Sequence, residues 1–350
     1  MKSENPDRSG PGCFPDQIRM RKEIHAMLVN CYYYAPHNHE MLFSHIRADL
    51  DRMRELGCNA VSVCVQESQL ENWHWRRLED FITLAHRAGL EVHAVPNRWA
   101  GLFAGWLDGF GPFTVKNIDL LVEDENRRPL IQGEMACCIN KPDTCEHVEK
   151  TLTLMLDRFA FDGVIWDEPH SYLCHCDYCR AKAIDTPAKA NEVFAEKIDA
   201  LSLRAKQLRR GLTVSLFVQP HESALFDALL QHTRHIDYLG SDGHLRSENH
   251  RMHRMKDTIF AAHNRYAEKL RRAGRKSLFL VEAQRHRDED LPDYLRNLDA
   301  AFALPMDQLM FYYSAHELSC DLEEQFNLAT WDAVKKAALR EMCAVSAGSR

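Results

Sequence analysis

Apolar residues along this chain alternate between two spacings, and that alternation predicts the fold. In IRADLDRMRELGCNAVSVCVQE, Ile46, Leu50, Met53 and Leu56 recur at helical spacing, Gly57 can supply a left-handed stop, and Ala60 to Val65 is a short unbroken apolar run. The same order returns in LEDFITLAHRAGLEVHAVPNRW, with Leu78, Phe81, Ile82 and Ala85 on one face, then Gly89, then Val92 to Val95. A helix followed by a strand apolar on both faces is the pattern of parallel sheets, whose strands are covered from both sides. Extending it predicts strands near His25–Tyr33, Ala60–Gln66, Glu91–Pro96, Gly163–Asp167, Thr213–Val218, Ile236–Gly240, Ser277–Val281 and Gln308–Tyr313. About eight such units is the number at which a tilted parallel sheet closes on itself, so the expected fold is α/β, a single (β/α)8 TIM barrel. An open doubly wound sheet is the alternative, but no Gly-rich phosphate turn follows an early strand. The longest connection, from about Asn97 to Asp143, follows the third strand and predicts a functional loop.

Length and charge narrow this picture. Barrels commonly use a chain of 350 residues as one domain, so residues 1–23, polar and rich in Pro and Gly, read as a flexible N-terminal tail and residues 24–350 as the barrel. Lys plus Arg total 44 against 51 for Asp plus Glu, a net charge of -7, which offers no basic field to a nucleic acid. The opening residues lack the apolar stretch of a secretory signal, and no later run is long enough for a membrane span. Twelve cysteines in such a chain read as reduced thiols or metal ligands, and the expected compartment is the cytoplasm.

In a barrel of this kind the reacting groups stand where strands end. The residues at those positions are Tyr33, Tyr34, His37 and His39; Gln66 and Glu67; Asn97, Arg98 and Trp99; Asp167, Glu168 and His170; Gln219 and His221; Asp242 and His244; Glu282 and Gln284; and Ser314 and His316. Loop starts are polar in any soluble protein, which accounts for about half of them. Glu168 and Glu282 stand apart, because each follows a strongly apolar strand, GVIWDEPH and SLFLVEAQ, where a carboxylate is costly unless paired or used. Desolvation raises a carboxyl pKa, as a general acid at neutral pH requires, while an ionised partner can attack or stabilise an oxocarbenium-like centre. Asp167 complicates this, since neighbours on a strand face opposite ways unless the strand breaks, as Pro169 allows. It reads as a nucleophile, a substrate acceptor or an orienter of a neighbouring Arg or His.

Directly after this strand, HSYLCHCDYCRAK carries Cys174, Cys176 and Cys179. Three thiols so spaced can converge on one tetrahedral Zn2+, with a fourth ligand among Cys138, Cys137, Cys145, His170 and His175, or they can be thiols without metal. A complete set would be a structural clasp between the third and fourth connections, and no organic cofactor is implied. Cys31, Cys58 and Cys64 lie on or near strands and read as core residues.

With these residues the chain resembles barrel glycoside hydrolases of the clan that carries a Glu acid/base after strand four and a Glu nucleophile after strand seven. Glu168 and Glu282 fall on those positions. More narrowly, Cys138-x-Asn140-x-Pro142 ahead of strand four and Cys174-x-Cys176-x2-Cys179 behind it resemble the zinc clasp of the family 42 β-galactosidases. The likeness covers Ile24 to Leu339. It implies a retaining O-glycosidase acting on a small glycoside or oligosaccharide, with Cys138 as the fourth zinc ligand. The clan has Asn before the acid/base where this chain has Asp167, so a contact to the sugar 2-hydroxyl would be acceptor-only. Tyr33, Asn97, Arg98, Trp99, His170, Gln219, His221, Asp242, Tyr313 and His316 are the expected substrate-binding residues.

Two other function classes fit parts of the sequence. Nineteen histidines allow a divalent-metal-dependent sugar isomerase or epimerase on the same fold, built from His170, His221 or His244 with Glu168, Asp242 and Glu282. A non-catalytic sugar-binding relative would use Trp99, Trp106 and Tyr313 as stacking platforms. The expected partner is a small carbohydrate, without nucleic acid or membrane. A homo-oligomer stays open, since the long helices near Asn191–Arg210 and His250–Arg272 are charged rather than patched with apolar residues.

Overall fold

The structure, a computed structural model, describes residues 27–33, 42–55, 57–71, 75–105, 111–131, 135–242, 259–282, 292, 295–296 and 306–314; at 259–262, 282, 311, 313 and 314 it describes the backbone alone. The expected tail, residues 1–23, lies outside these. Eight strands form a closed parallel barrel: β1 (Leu28–Tyr33), β2 (Ala60–Gln66), β3 (Glu91–Asn97), β4 (Gly163–Asp167), β5 (Thr213–Val218), β6 (Tyr238–Ser241), β7 (Lys276–Glu282) and β8 (Gln308–Ser314). Each pairs with the next, and β8 closes on β1. The chain is therefore a (β/α)8 TIM barrel. Strands β2, β4 and β5 have the bounds the apolar runs predict, and the others differ only at their ends.

Alternation along the strands sorts side chains into two cores. Tyr32, Cys64, Val95, Ile165, Phe217, Leu278, Leu280 and Met310 fill the barrel interior. Their neighbours, among them Tyr33, Val63, Ala94, Trp166, Leu216 and Phe279, pack outward against the helices. The helix Phe43–Glu55 buries Ile46, Leu50 and Met53, and Trp75–Arg87 buries Leu78, Phe81, Ile82 and Ala85, the faces the spacing predicts. Gly57 and Gly89 end these units at φ 95 and 80.

Beneath the apolar layer the barrel has a polar floor. Ser62 Oγ donates to Asn30 Oδ1 at 2.7 Å, Asn30 Nδ2 lies 3.4 Å from His93 Nδ1, and Ser215 Oγ donates to Gln308 Oε1 at 2.8 Å. At this level β4 must begin with glycine, because a Cβ on Gly163 would sit 2.7 Å from His93 Cγ.

The connection after β3 is organised rather than structureless. It runs through the short helices Trp99–Gly101, Pro112–Lys116 and Ile118–Leu120 before the long helix Pro142–Arg158. Glu67, at the end of β2, is its strut. Its Oε1 accepts from Ala100 N at 2.8 Å and lies 2.9 Å from His147 Nε2, while Oε2 accepts from Phe113 N at 3.3 Å. The His147 and Phe113 rings stack at 3.7 Å, closing the hub. Among the described residues no helix is long and apolar enough to cross a membrane.

Candidate active site

The carboxyl ends of β4 and β5 bring together several of the expected site residues. Asp167 ends β4 on the interior face with Ile165, and its Oδ2 accepts a hydrogen bond from Tyr32 Oη at 2.8 Å. Burial first, then the Asp167 carboxylate, push the Tyr32 phenol well above its ordinary range, so it remains a donor. Asp167 O also accepts from Ala104 N at 2.9 Å, which fastens the β3 connection to β4.

Glu168 then leaves the strand. Its φ of 37 lies in the left-handed region that a non-glycine residue seldom adopts. Its backbone N still donates to Phe217 O at 3.1 Å, so the break comes while β4 is held to β5. This kink resolves the conflict posed by two adjacent carboxylates, because Glu168 no longer follows strand alternation. Gln219, just past β5, donates from Nε2 to Glu168 Oε2 at 3.0 Å. His170 follows, its backbone N donating to Leu102 O at 2.9 Å and its ring tilted against Tyr172.

Other candidates are placed as follows. Asn97 ends β3 with Val95 on the interior side, and neither atom of its buried amide has a hydrogen-bond partner. Gly105 approaches it so closely that a Cβ there would lie 1.7 Å from Asn97 Oδ1. Arg98 is buried at φ 57 and donates from Nη2 to Gly105 O at 3.3 Å. Asp242 is buried just past β6, its backbone N donating to Val218 O at 3.3 Å, and His221 is exposed beyond β5. Glu282 is the last residue of β7, in register with Tyr312 of β8, and its side chain lies outside the described residues. For Tyr313 the backbone in β8 is described; His316, Trp106 and His244 fall outside.

Two expected ligand contacts are corrected. Tyr33 faces out of the barrel, where it is fully buried and donates to Asp49 Oδ2 of the helix Phe43–Glu55 at 2.5 Å. Tyr32 takes the interior place instead. Trp99 has no exposed surface and donates from Nε1 to Val65 O at 2.8 Å. A ring buried on both faces offers no stacking platform to a sugar, so Trp99 is a core residue of the β3 connection.

Glu222 was not singled out in the sequence. It follows β5 by four residues and stands at the start of the helix Ser223–His232, with its backbone N donating to Gln219 O at 3.0 Å. Its Oε2 is buried without a partner. Burial, reinforced by the like charge of Glu168 and opposed by His170, pushes its carboxyl up to about 7. The only hint in the sequence is a carboxylate a few residues past a strand end.

Cys138, Cys174, Cys176 and Cys179 meet behind this mouth, all four buried, with sulfurs within 4.8 Å of one another. A tetrahedral ion bonded at about 2.3 Å to each sulfur requires separations of about 3.8 Å. Cys138 lies 3.5 Å from Cys179 and 3.8 Å from Cys176, so the set could hold a metal ion. Hydrogen bonds from the Cys138 and Cys179 thiols, joined by the Glu123 backbone N–H at 3.3 Å, draw Cys174 down toward the thiolate a metal needs. Among the other candidate ligands, Cys145 donates instead to Ile139 O at 2.8 Å. The cluster joins the connection after β3 to the segment after β4.

No protein-family model matches the chain, and no curated protein matches it in sequence. Solved structures share its fold. A β-galactosidase from the psychrophilic Marinomonas ef1 superposes with a TM-score of 0.62 at 14% identity over 92% of this chain, which spans 60% of that enzyme. The glycoside hydrolase domain of PgaB (BpsB) from Bordetella bronchiseptica gives 0.59 at 12% identity, covering 88% of this chain and 97% of that one. An endo-1,4-beta-mannanase from Rhizomucor miehei gives 0.59 at 12% identity, covering 88% and 94%. At these identities the likeness is one of fold, and the solved barrels that share it include several glycoside hydrolases.

Proposed function

We propose that this chain is a glycoside hydrolase acting on a small glycoside or oligosaccharide, with Glu168 as general acid/base and Glu282 as nucleophile or stabiliser. The observation that carries the reading is Glu168 itself. It stands at a kinked end of β4, at the carboxyl mouth of a closed barrel, held by the Gln219 amide and followed directly by Pro169. Barrel enzymes keep their reacting groups at this face, and backbone strain is commonly retained where function requires it. The position of Glu282 at the end of β7 supports a second carboxylate from another strand of the same rim. The resemblance to the clan with Glu after strands four and seven favours retention, in which an acid protonates the leaving oxygen while a carboxylate attacks the sugar. Asp167, anchored by Tyr32, is an acceptor for a sugar hydroxyl. Asn97 and Arg98 add polar groups from β3.

We further propose that Cys138, Cys174, Cys176 and Cys179 hold a structural Zn2+. Four sulfur ligands leave no open position for water, so such an ion would supply cross-linking and no step of the reaction. Its service to the site is to restrain the connections after β3 and β4.

A panel of chromogenic α- and β-glycosides, with Glu168→Gln and Glu282→Gln as controls, tests the function. Each substitution is expected to lower turnover on the preferred glycoside by roughly 100- to 10,000-fold. Turnover left at the wild-type level in both variants would remove the roles assigned to them.

A further inference from the structure

Across the β4–β5 seam the mouth holds a third carboxyl with no assigned task. Register pairs Asp167 with Phe217, so the residues just past these two strand ends, Glu168 and the turn Gln219 to Glu222, are neighbours. Gln219 joins them from both sides: its side chain donates to Glu168 Oε2, and its carbonyl accepts from Glu222 N. The turn is pinned from the helix Ile259–Arg272, where the fully buried Tyr266 donates from Oη to Pro220 O at 3.0 Å and stacks on Phe226 at 3.9 Å. Nothing in this fixed setting satisfies Glu222 Oε2. A buried carboxylate oxygen without a donor is costly, whereas a protonated carboxyl is much less so.

We propose that Glu222 is the proton store of the barrel mouth, a positioning residue that acts through Glu168 and His170. This rests on the glycosidase reading of Glu168. Burial and the like charge of Glu168 favour its protonated form, and the lift to about 7 leaves much of it protonated under neutral conditions. Among the described residues, Glu168 and His170 act on it from the β4 end. Tyr266 faces it from the helix Ile259–Arg272, with Arg265 and Asp227 beside that phenol. Two acidic groups in unlike surroundings divide their work: one is held by an amide donor, the other is neutral and buried. The Glu222 proton passes to Glu168, which gives it to the departing oxygen. The attacking water, whose oxygen bonds to the sugar carbon, returns one proton to the pair, so each turnover ends with the protons it began with.

NMR titration of the glutamate carboxyl carbons tests the store without any substrate. Wild-type protein is expected to show a Glu222 midpoint at about 7. That resonance should vanish in Glu222→Gln, and in Glu168→Gln its midpoint should fall by roughly half a unit or more as the like charge is lost. A Glu222 midpoint at the ordinary carboxyl value of 4.5, or one unmoved by Glu168→Gln, overturns the proposal even if the enzyme hydrolyses glycosides. On the preferred glycoside, Glu222→Gln should move the falling limb of the kcat/KM profile to lower pH. A uniform drop with the limb in place would mean a merely structural role. Failure of Glu168→Gln to affect turnover while the titration behaves as expected would instead overturn the glycosidase reading.

Discussion

Glu67 offers the sharpest test of how the β3 connection is held. Its carboxylate receives Ala100 N at 2.8 Å, His147 Nε2 at 2.9 Å and Phe113 N at 3.3 Å. Hydrogen bonds to a charged group contribute about 1.5–3 kcal/mol each, and a buried donor deprived of its acceptor costs about 1–3 kcal/mol. Ala100 is wholly buried, so in Glu67→Ala its N–H meets the full desolvation cost, whereas His147 is partly exposed and can turn to water. Taking the Ala100 bond in full and discounting the other two gives roughly 3–5 kcal/mol of lost stability. Glu67→Gln keeps the shape and one acceptor oxygen but turns an amide N–H2 toward a donor, for roughly 1–3 kcal/mol. Urea denaturation followed by tryptophan fluorescence reads both, since Trp99 lies next to Ala100. A cost below about 1 kcal/mol for Glu67→Ala, or equal costs for the two variants, would refute the hub. Slack there should also reach the thiol cluster, because Ala100 O accepts from Cys137 N, next to Cys138.

Three further outcomes are expected. Metal analysis of purified protein should find zinc at about one ion per chain, and Cys176→Ser should abolish it while the barrel's far-ultraviolet circular dichroism persists; a metal content unaffected by the substitution would exclude the four-sulfur site. Gly163→Ala should destabilise by about 1–3 kcal/mol in urea, because the added methyl meets His93 at 2.7 Å between two strands; a neutral result would show that the polar floor yields. Burial works against the charge on Asp162, but His86 at 2.8 Å and Val92 N at 2.9 Å outweigh it and hold the carboxyl below its usual value of 3.8. A folded pKa lower than the unfolded one stabilises fully above the unfolded value and is lost as pH falls through the folded one, so Asp162→Asn should cost stability near neutral pH and nothing in strong acid. Equal stability loss at both extremes, measured by denaturation across pH, would contradict this.

The barrel was legible because its information is local. Helical spacing in Ile46, Leu50 and Met53, a left-handed glycine, and a β-branched run specify each unit without knowledge of the others. Strand ends such as Asp167 follow from the same runs, which is why the carboxylate region of β4 could be found. Which residue of a pair faces the site could not be found this way. A parallel strand is apolar on both faces, so NCYYY carries no alternation to separate Tyr32 from Tyr33; only the closed sheet assigns one to Asp167 and the other to Asp49. Trp99 looked like a loop aromatic until the connection folded over it and gave its indole to Val65.

The thiols show both sides. Spacing brought three of them together, but several residues could complete the set, and the path of the β3 connection selects Cys138. Glu222 depended wholly on tertiary structure. Its burial and its closeness to Glu168 arise because β4 and β5 are neighbours in the sheet and Tyr266 presses the turn between them into place. The sequence by itself thus determined the repeating units and the residues at their ends, since these depend on contacts a few positions apart. Facing, burial and charge coupling belong to groups that only packing brings together, such as Trp99 and Val65 or Glu168 and Glu222, and were decided only when the barrel closed.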